Sequence, residues 1–466
     1  MARNVVGQER VLTMKIFDEL MARGLVAQMT HPEEVENALN NERISFYIGF
    51  DATASSLHVG SLLQLITMRR LQLAGHRPIL LVGGATTRIG DPSGKQDMRK
   101  MLTDDDIAYN IECFKKQFER FLDIEGCHLR DAEGGVPYNH PVAPSGATPP
   151  EEGNGEISLN PSKPLDCFGD KSPRNDAIIV NNDDWVGKMN VYEFIRLGFN
   201  FNMNDMLRQE CYATRRESGG LTLGEMCYLP MQSVDFAFLH DNYDCRMQMG
   251  GNDQWSNILG GVNLIRKTKG EKGNVFGMTF NLLTTADGKK MGKTEKGAIW
   301  LDSERTSPYE FFQYWRNVGD EDVIKSLNYL TFISMEEIGE MAKWEGAQLN
   351  KAKEILAFEL TKMVHGEEEA NKALEASKAL FGGNGDNANM PTTKMDVGDG
   401  IGLLDLLMGI ELIPSKGEGR RLIQQGGITL NDKKIDNIEY IVKEKDFTNG
   451  ELIIRKGKKI FHKIMI

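Results

Sequence analysis

The sequence predicts an α/β protein: a doubly wound parallel sheet, then a helical segment, then a small mixed α+β module. Two short, continuous apolar runs, Ile44–Phe50 (ISFYIGF) and Pro78–Val82 (PILLV), have the character of buried parallel strands, and helix-like Ser61–Ala74 lies between them. Strand, helix and strand in so short a span form a βαβ unit. Helical periodicity from Ser307 to Leu380, through Phe311, Phe312, Trp315, Ile324, Leu327, Ala352, Ile355, Leu356 and Leu360, sets the next part of the chain apart.

Taken in order, about Met14 to Asn41 reads as helical, with Ile16, Leu20 and Met21 as its apolar positions. The βαβ unit follows. A later strand, Cys245–Met249, precedes helix-like Gln254–Lys267, and a sheet of this kind binds ligands at the carboxyl ends of its strands. Cys127–Asp176 interrupts the pattern with eight of the fifteen prolines, a composition that reads as an extended surface insertion. Gly382–Gly400 reads as a polar, Gly-rich linker. Leu403–Met408 and Gly419–Gln425 read as helical, with short strands after them. The expected domains are therefore 1–305 (with the insertion at 127–176), 306–381, a linker over 382–400, and 401–466.

Length and composition bound the function. A chain of 466 residues is expected to fold as two to four domains, and 40% apolar with 26% charged content fits a globular protein outside membranes. No apolar run approaches the ~18 residues that span a bilayer, and no export pattern opens the chain, so a cytoplasmic location is expected. Six scattered cysteines without a C-x-x-C pair, and eight dispersed histidines, argue against a disulfide framework or a tightly bound metal. The net charge of −12 is uneven: Ser415–Ile466 holds twelve Lys/Arg against seven Asp/Glu, a net +5, which leaves −17 on the rest. A basic module on an acidic body suits one localised anionic partner, although a solvated basic tail fits the same counts.

Three motifs bear on chemistry. His58-Val59-Gly60-Ser61 stands where the first strand gives way to a helix, a place where backbone N–H groups attract phosphate. A histidine there can donate to a phosphate oxygen as charge develops, but a turn histidine without a role would look the same. Lys290-Met291-Gly292-Lys293-Thr294 follows the turn signal Ala286-Asp287-Gly288. Its lysines can close over a triphosphate and neutralise a leaving pyrophosphate; an exposed basic loop is the plainer reading. Gly90–Lys95 imitates a Walker A loop with one spacer residue too few, so a P-loop is rejected and Asp91 is read as an anchor for a ligand ammonium.

The order of these motifs resembles the two signatures of class I aminoacyl-tRNA synthetases. Tyr47–Asp51, Gly83–Thr86, Gly90–Lys95, Tyr228–Asp235 (YLPMQSVD) and Gln248–Gln254 (QMGGNDQ) are similar to tyrosyl-tRNA synthetase of the bacterial type. Ile413–Lys416, Arg420-Arg421, Gly426-Gly427 and Asn431 resemble an S4 RNA-binding module. The likeness covers essentially all but Cys127–Asp176. It implies a Rossmann-like catalytic domain, a helical anticodon-arm-binding domain and an S4-like RNA-binding domain holding Lys416, Arg420 and Arg421. It also implies ATP as a substrate with Mg2+, and L-tyrosine, tRNA(Tyr) and a second copy of the chain as partners, with no membrane.

Carried over position by position, the resemblance implies that Tyr47 and Asp235 bond the phenolic hydroxyl of tyrosine. Tyr228, Gln232 and Asp91 would hold its ammonium, with Thr86 and Gln254 nearby. Gly49, Asp51, Thr53, His58, Gly60, Ser61, Gly251, Asp253 and Lys293 would meet ATP. The phosphate-handling set would be His58, Lys95, Arg99, Lys290, Lys293 and Thr294. Two departures stand out: Ser61 replaces a common second histidine, so its phosphate contact is expected to be weak or through water. Gly292 replaces a common serine and is expected to add mobility. The alternatives are a tryptophanyl-tRNA synthetase, a synthetase-like RNA-binding protein without catalysis, and a small-molecule adenylyltransferase. The Tyr47/Asp235 pair and the appended module weigh against the first, intact His58, Lys290 and Lys293 against the second, and the extra modules against the third.

Overall fold

The computed structural model describes residues 14–92, 102–125, 175–218, 220–270, 273–294, 297–382, 392–395, 397–398, 400–410, 412–431, 433–448, 450–457 and 460–466. The chain divides into two compact units, 1–306 with 318–352, and 307–317 with 353–466. The helices of 306–381 thus fall in both units.

The first unit is built on a six-stranded sheet: β1 (Val26–Met29), β2 (Ser45–Phe50), β3 (Arg77–Val82), β4 (Ile178–Asn181), β5 (Cys245–Gly251) and β6 (Phe276–Phe280). Its order is β1-β6-β5-β2-β3-β4; only β1 runs antiparallel, along the edge beside β6. From β2 the chain winds outward through β3 to β4, then returns to the opposite side of β2 for β5 and β6. The reversal opens a crevice at the carboxyl ends of β2 and β5, where ligands bind in this architecture. β2 and β3 are buried on both faces, as their apolar runs require, with Phe46, Tyr47, Ile48, Ile79 and Leu80 at or near zero exposure.

The expectation of continuous helix over Met14–Asn41 is corrected. Helices Ile16–Ala22 and Pro32–Asn41 flank β1. Gly24, at φ 71°, ends the first helix, and Val26–Met29 then finds ladder partners on β6, which outweighs local helical preference.

Two helices carry the site. Val59–Leu73 starts directly after the crevice and is buried on most sides, covering Val59, Leu62, Leu63, Leu65, Ile66, Met68 and Leu71 together with Thr67, Arg70 and Gln72. Leu223–Tyr243 opens with a capping box from Thr222 and Glu225 and places Tyr228, Gln232 and Asp235 on one face by their spacing. Pro230 inside that helix cannot donate to the carbonyl of Met226, and the hydroxyl of buried Tyr212 donates there at 3.2 Å.

The second unit has its own core around Leu403, Leu406, Leu407, Ile423, Ile428, Val442, Leu452, Ile454 and Ile464. Helices Leu403–Gly409 and Lys416–Gln424 pack there with a five-stranded sheet. Within the expected polar, Gly-rich linker Gly382–Gly400, Thr392–Lys394 is a strand, paired in parallel with Ile460–Met465. Its β-branched pair is enough to extend an open sheet edge despite the glycines around it.

Helices Asp320–Leu330 and Met335–Met341 belong to the first unit through buried charge. Glu19 receives Arg23 at 2.7 Å and Arg70 at 2.8 Å. The two guanidiniums then donate to the carbonyls of Asn328, Thr331 and Ile333, which end the helix Asp320–Leu330. Removing the carboxylate leaves two buried cations without their counter-charge. Glu19→Ala is expected to lose ~3–5 kcal/mol of unfolding free energy; a urea midpoint equal to that of the unaltered protein would refute this bridge as a main support of the unit.

Candidate active site

A cavity of about 240 Å³ occupies the crevice at the switch in winding direction. Tyr47, Gly49, Phe50 and Asp51 reach it from β2 and its end, Gln248, Met249 and Gly250 from β5, and Tyr228, Gln232 and Asp235 from the long helix. Gln64, Leu81, Thr53, Thr86, Asp91, Asp253 and Gln254 complete its wall. Alternation along a strand explains why Tyr47, Gly49 and Asp51 share this side.

Asp235 sets the character of the inner wall. It is 1% exposed, and its carboxylate accepts from Asn182 Nδ2 at 3.0 Å and from Trp185 Nε1 at 2.8 Å. Burial pushes its pKa up to about 7, against the two donors, which pull it down, and with a further upward push from Asp51. Tyr47, also 1% exposed, has a hydroxyl with no hydrogen-bond partner among the described residues. Burial, and then the neighbouring Asp235, hold that phenol protonated well above its ordinary range. The side-chain carbonyl oxygen of Gln248 is a second buried polar atom on the wall without a partner among the described residues. Buried polar atoms are ordinarily satisfied, so this wall is shaped for a polar ligand group.

The opposite wall is already cross-linked. Asp51 accepts from Thr86 Oγ1 at 2.8 Å and from the Tyr228 hydroxyl at 3.1 Å, while Asp91 accepts from Gln254 Nε2 at 2.5 Å. Close to these groups a ligand ammonium would meet two carboxylates.

The His58 turn and the lysine loop stand beside this cavity. His58 is the N-cap of Val59–Leu73, and its Nδ1 accepts from Gly60 N at 2.9 Å. An accepting Nδ1 leaves the proton of a neutral ring on Nε2, which makes that atom a donor. Lys290 Nζ lies 3.1 Å from Asp253 Oδ2, so the basic loop reaches a residue of the cavity wall. Gly292 has a reason besides the mobility expected of it. Its φ is 82°, and a Cβ would stand 2.8 Å from Val59 Cβ, so close packing in a left-handed conformation selects glycine.

The comparisons with known proteins bear on this geometry. The class I tRNA synthetase (W and Y) family matches residues 39–382, and the tyrosine–tRNA ligase SYY-like C-terminal domain matches residues 384–464. The tyrosine–tRNA ligase of Acetivibrio thermocellus is 48% identical over 455 residues, 97% of this chain and 99% of that one. The chain belongs to the tyrosine–tRNA ligases. The ligase of Caldanaerobacter subterraneus subsp. tengcongensis is also 48% identical, over 97% of this chain and 100% of its own. A C-terminally truncated mitochondrial tyrosyl-tRNA synthetase from Aspergillus nidulans shares the fold, with a TM-score of 0.61 at 24% identity over 79% of this chain and 94% of that one.

Of the residues singled out from the sequence, Tyr47, Gly49, Asp51, Thr53, Thr86, Asp91, Tyr228, Gln232, Asp235, Asp253 and Gln254 meet around one cavity. His58, Gly60, Ser61, Gly251 and Lys290 stand outside its wall. Lys95 and Arg99 lie outside the described residues, as do the side chains of Lys293 and Thr294 and nearly all of Cys127–Asp176. Asp51, expected toward ATP, bonds two residues expected around the amino acid. Lys416, Arg420 and Arg421 are exposed on one helix of the second unit, with Lys416 paired to Asp405. Sequence reasoning missed Gln64, Gln248, Asn182 and Trp185. A glutamine inside the otherwise buried strand Cys245–Gly251 was a usable signal for Gln248; nothing local marks Asn182 or Trp185.

The ionisation of Asp235 gives a pH test. Its folded pKa is raised, so the associated stability is present below the ordinary value of 3.8 and is lost as pH climbs through about 7. A tenfold difference in proton affinity between the folded and unfolded chain is worth ~1.4 kcal/mol. The ligand-free protein should therefore lose stability toward urea between pH 4 and 8 more steeply than Asp235→Asn. Parallel pH profiles would rule out Asp235 as the titrating group.

Proposed function

We propose that the chain activates L-tyrosine with ATP, forming tyrosyl-adenylate and pyrophosphate, and then transfers the tyrosyl group to the 3′ end of tRNA(Tyr). The observation that carries the choice of amino acid is the phenol of Tyr47, unpartnered among the described residues, beside the ionisable Asp235 on one buried wall. A substrate phenol supplies the partner that the Tyr47 hydroxyl lacks, accepting from Tyr47, and donates a further hydrogen bond to Asp235 beside those from Asn182 and Trp185. Phenylalanine would leave the Tyr47 hydroxyl buried and unsatisfied, at ~1–3 kcal/mol, and would give Asp235 no substrate donor.

Tyr228, Gln232 and Asp91 hold the substrate ammonium, with Thr86 and Gln254 setting their orientation. Asp51 acts there too, by fixing Thr86 and Tyr228, while Gly49, Thr53, Gly251 and Asp253 lie on the nucleotide side. The substrate carboxylate is a nucleophile at neutral pH, so no general base is needed. What remains is alignment with the α-phosphate and stabilisation of developing charge. His58 donates from Nε2, Gly60 and Ser61 offer the helix start, and Lys95, Arg99, Lys290, Lys293 and Thr294 neutralise the pyrophosphate. Mg2+ is assigned to the triphosphate oxygens. Bound there, it would neutralise phosphate charge.

The second unit is read as the tRNA-binding part: a helical domain toward the anticodon arm and an S4-like module with Lys416, Arg420 and Arg421 at the phosphates. The ion pair of Lys416 with Asp405 is exposed and weak, so Lys416 stays available. We also assign a homodimer. Val191, Tyr192, Ile195, Phe199, Met203 and Leu223 form a series of exposed apolar residues in the first unit, although Phe194 packs inward. No helix among the described residues is long and apolar enough to cross a membrane, and a cytoplasmic site of action fits the reading.

ATP–pyrophosphate exchange with tyrosine, tryptophan and phenylalanine tests the assignment. Exchange is expected with tyrosine alone, and Asp235→Ala should reduce kcat/KM for tyrosine at least tenfold, since a hydrogen bond to a charged group is worth ~1.5–3 kcal/mol. Near-normal exchange by the variant, or exchange with tryptophan, would discard the pocket reading. Replacing Arg420 and Arg421 by alanine should weaken tRNA binding and lower its salt slope by about one per lost phosphate contact, with exchange unchanged. An unaltered slope would remove these two from the RNA surface.

A further inference from the structure

His58 is exposed, yet its ring is held on two sides. Gly60 N donates to Nδ1, and the indole of Trp300 meets the imidazole edge-on, with ring centroids 6.3 Å apart and planes at 63°. This contact follows from the backbone. Val59 N donates to Ile299 O at 3.0 Å and Leu301 N donates to Leu57 O at 2.9 Å. His58 and Trp300 are thus a non-hydrogen-bonded antiparallel pair. Such pairs bring their Cα atoms to ~4.5 Å and set their side chains on the same face.

Three further contacts fix the indole and its strand. Trp300 N donates to Thr306 Oγ1 at 3.0 Å. The Arg305 guanidinium lies 3.4 Å from the indole centroid and also donates to Ser55 Oγ at 3.3 Å. On its other edge, Ile299 N donates to Gly292 O at 2.8 Å. The segment around Trp300 therefore joins the His58 turn to the lysine loop by main-chain hydrogen bonds.

We propose that Trp300 is a positioning residue for amino-acid activation, orienting the His58 ring toward the nucleotide phosphate, with Arg305 clamping the indole in that pose. The proposal rests on the phosphate role assigned to His58. The ring turns about its χ1 and χ2 bonds; the Nδ1 bond to Gly60 favours one setting of these, and the edge-on indole narrows it from the other side. An edge-to-face aromatic pair favours one ring orientation several-fold. Misplacement of a reacting group by ~1 Å can cost ~10²-fold in rate.

The test is a double-mutant cycle on tyrosine-dependent ATP–pyrophosphate exchange, using the full-length protein with His58→Ala, Trp300→Leu and the two combined. Trp300→Leu is expected to lower kcat about ten- to a hundredfold, with tyrosine affinity by equilibrium dialysis unchanged, because the indole does not line the amino-acid cavity. In the His58→Ala background, Trp300→Leu should add less than a twofold loss. Trp300→Phe, which keeps an aromatic edge, should recover most of the rate, and Arg305→Gln should lower kcat by a smaller factor than Trp300→Leu. Losses that multiply in the double variant, a parallel fall in tyrosine affinity, or no rescue by Trp300→Phe would each overturn the positioning role. A His58→Ala variant with unaltered exchange would instead overturn the assignment of His58 itself.

Discussion

The structure depends on a reversal. The chain winds away from β2 in one direction through β3 and β4, then returns to the other side for β5 and β6. No crossover can cover the ends of β2 and β5 from both sides, so the crevice between them is a necessity of connection and not an added feature. Everything assigned to the amino acid hangs on this opening. Tyr47 stands within β2 and Asp51 just past its end, Gln248 stands on β5, and the helix Leu223–Tyr243 leads into β5 while carrying Tyr228 and Asp235 past the gap.

The same crevice explains where local rules are broken. A carboxylate at full burial, an unsatisfied phenol and an unsatisfied amide oxygen would be costly anywhere in a core. Here they face one small cavity, and the donors around Asp235 come from Asn182 and Trp185 just beyond β4. The surrounding scaffold tolerates this through apolar strands of near-zero exposure and through buried pairs such as Glu19 with Arg23 and Arg70.

Much of this was legible in the chain because the relevant signals are short-range. Buried parallel strands declare themselves as apolar runs, as at Ser45–Phe50 and Arg77–Val82. The i, i+4, i+7 spacing of Tyr228, Gln232 and Asp235 places them on one face once Leu223–Tyr243 is seen to be a helix. What escaped depends on contacts distant in sequence. β1 is a strand because β6 lies beside it, some 250 residues later by the pairing of Val26 with Phe280. Thr392–Lys394 is ordered by the last strand of the chain. Asn182 and Trp185 matter through Asp235, and Gly292 through a side chain, Val59, that no loop motif mentions.

The tie between Gly292, Ile299 and Val59 has a thermodynamic meaning. Fixing one residue's backbone costs ~1–2 kcal/mol in conformational entropy. Met291, whose N–H bonds Leu283 O, and Gly292 and Ile299 are fixed by main-chain hydrogen bonds within the chain itself. Their ordering is charged to folding and not to binding. Contacts made by the lysines to a triphosphate are then free to favour the transition state over the bound reactants, which is the condition under which affinity becomes rate.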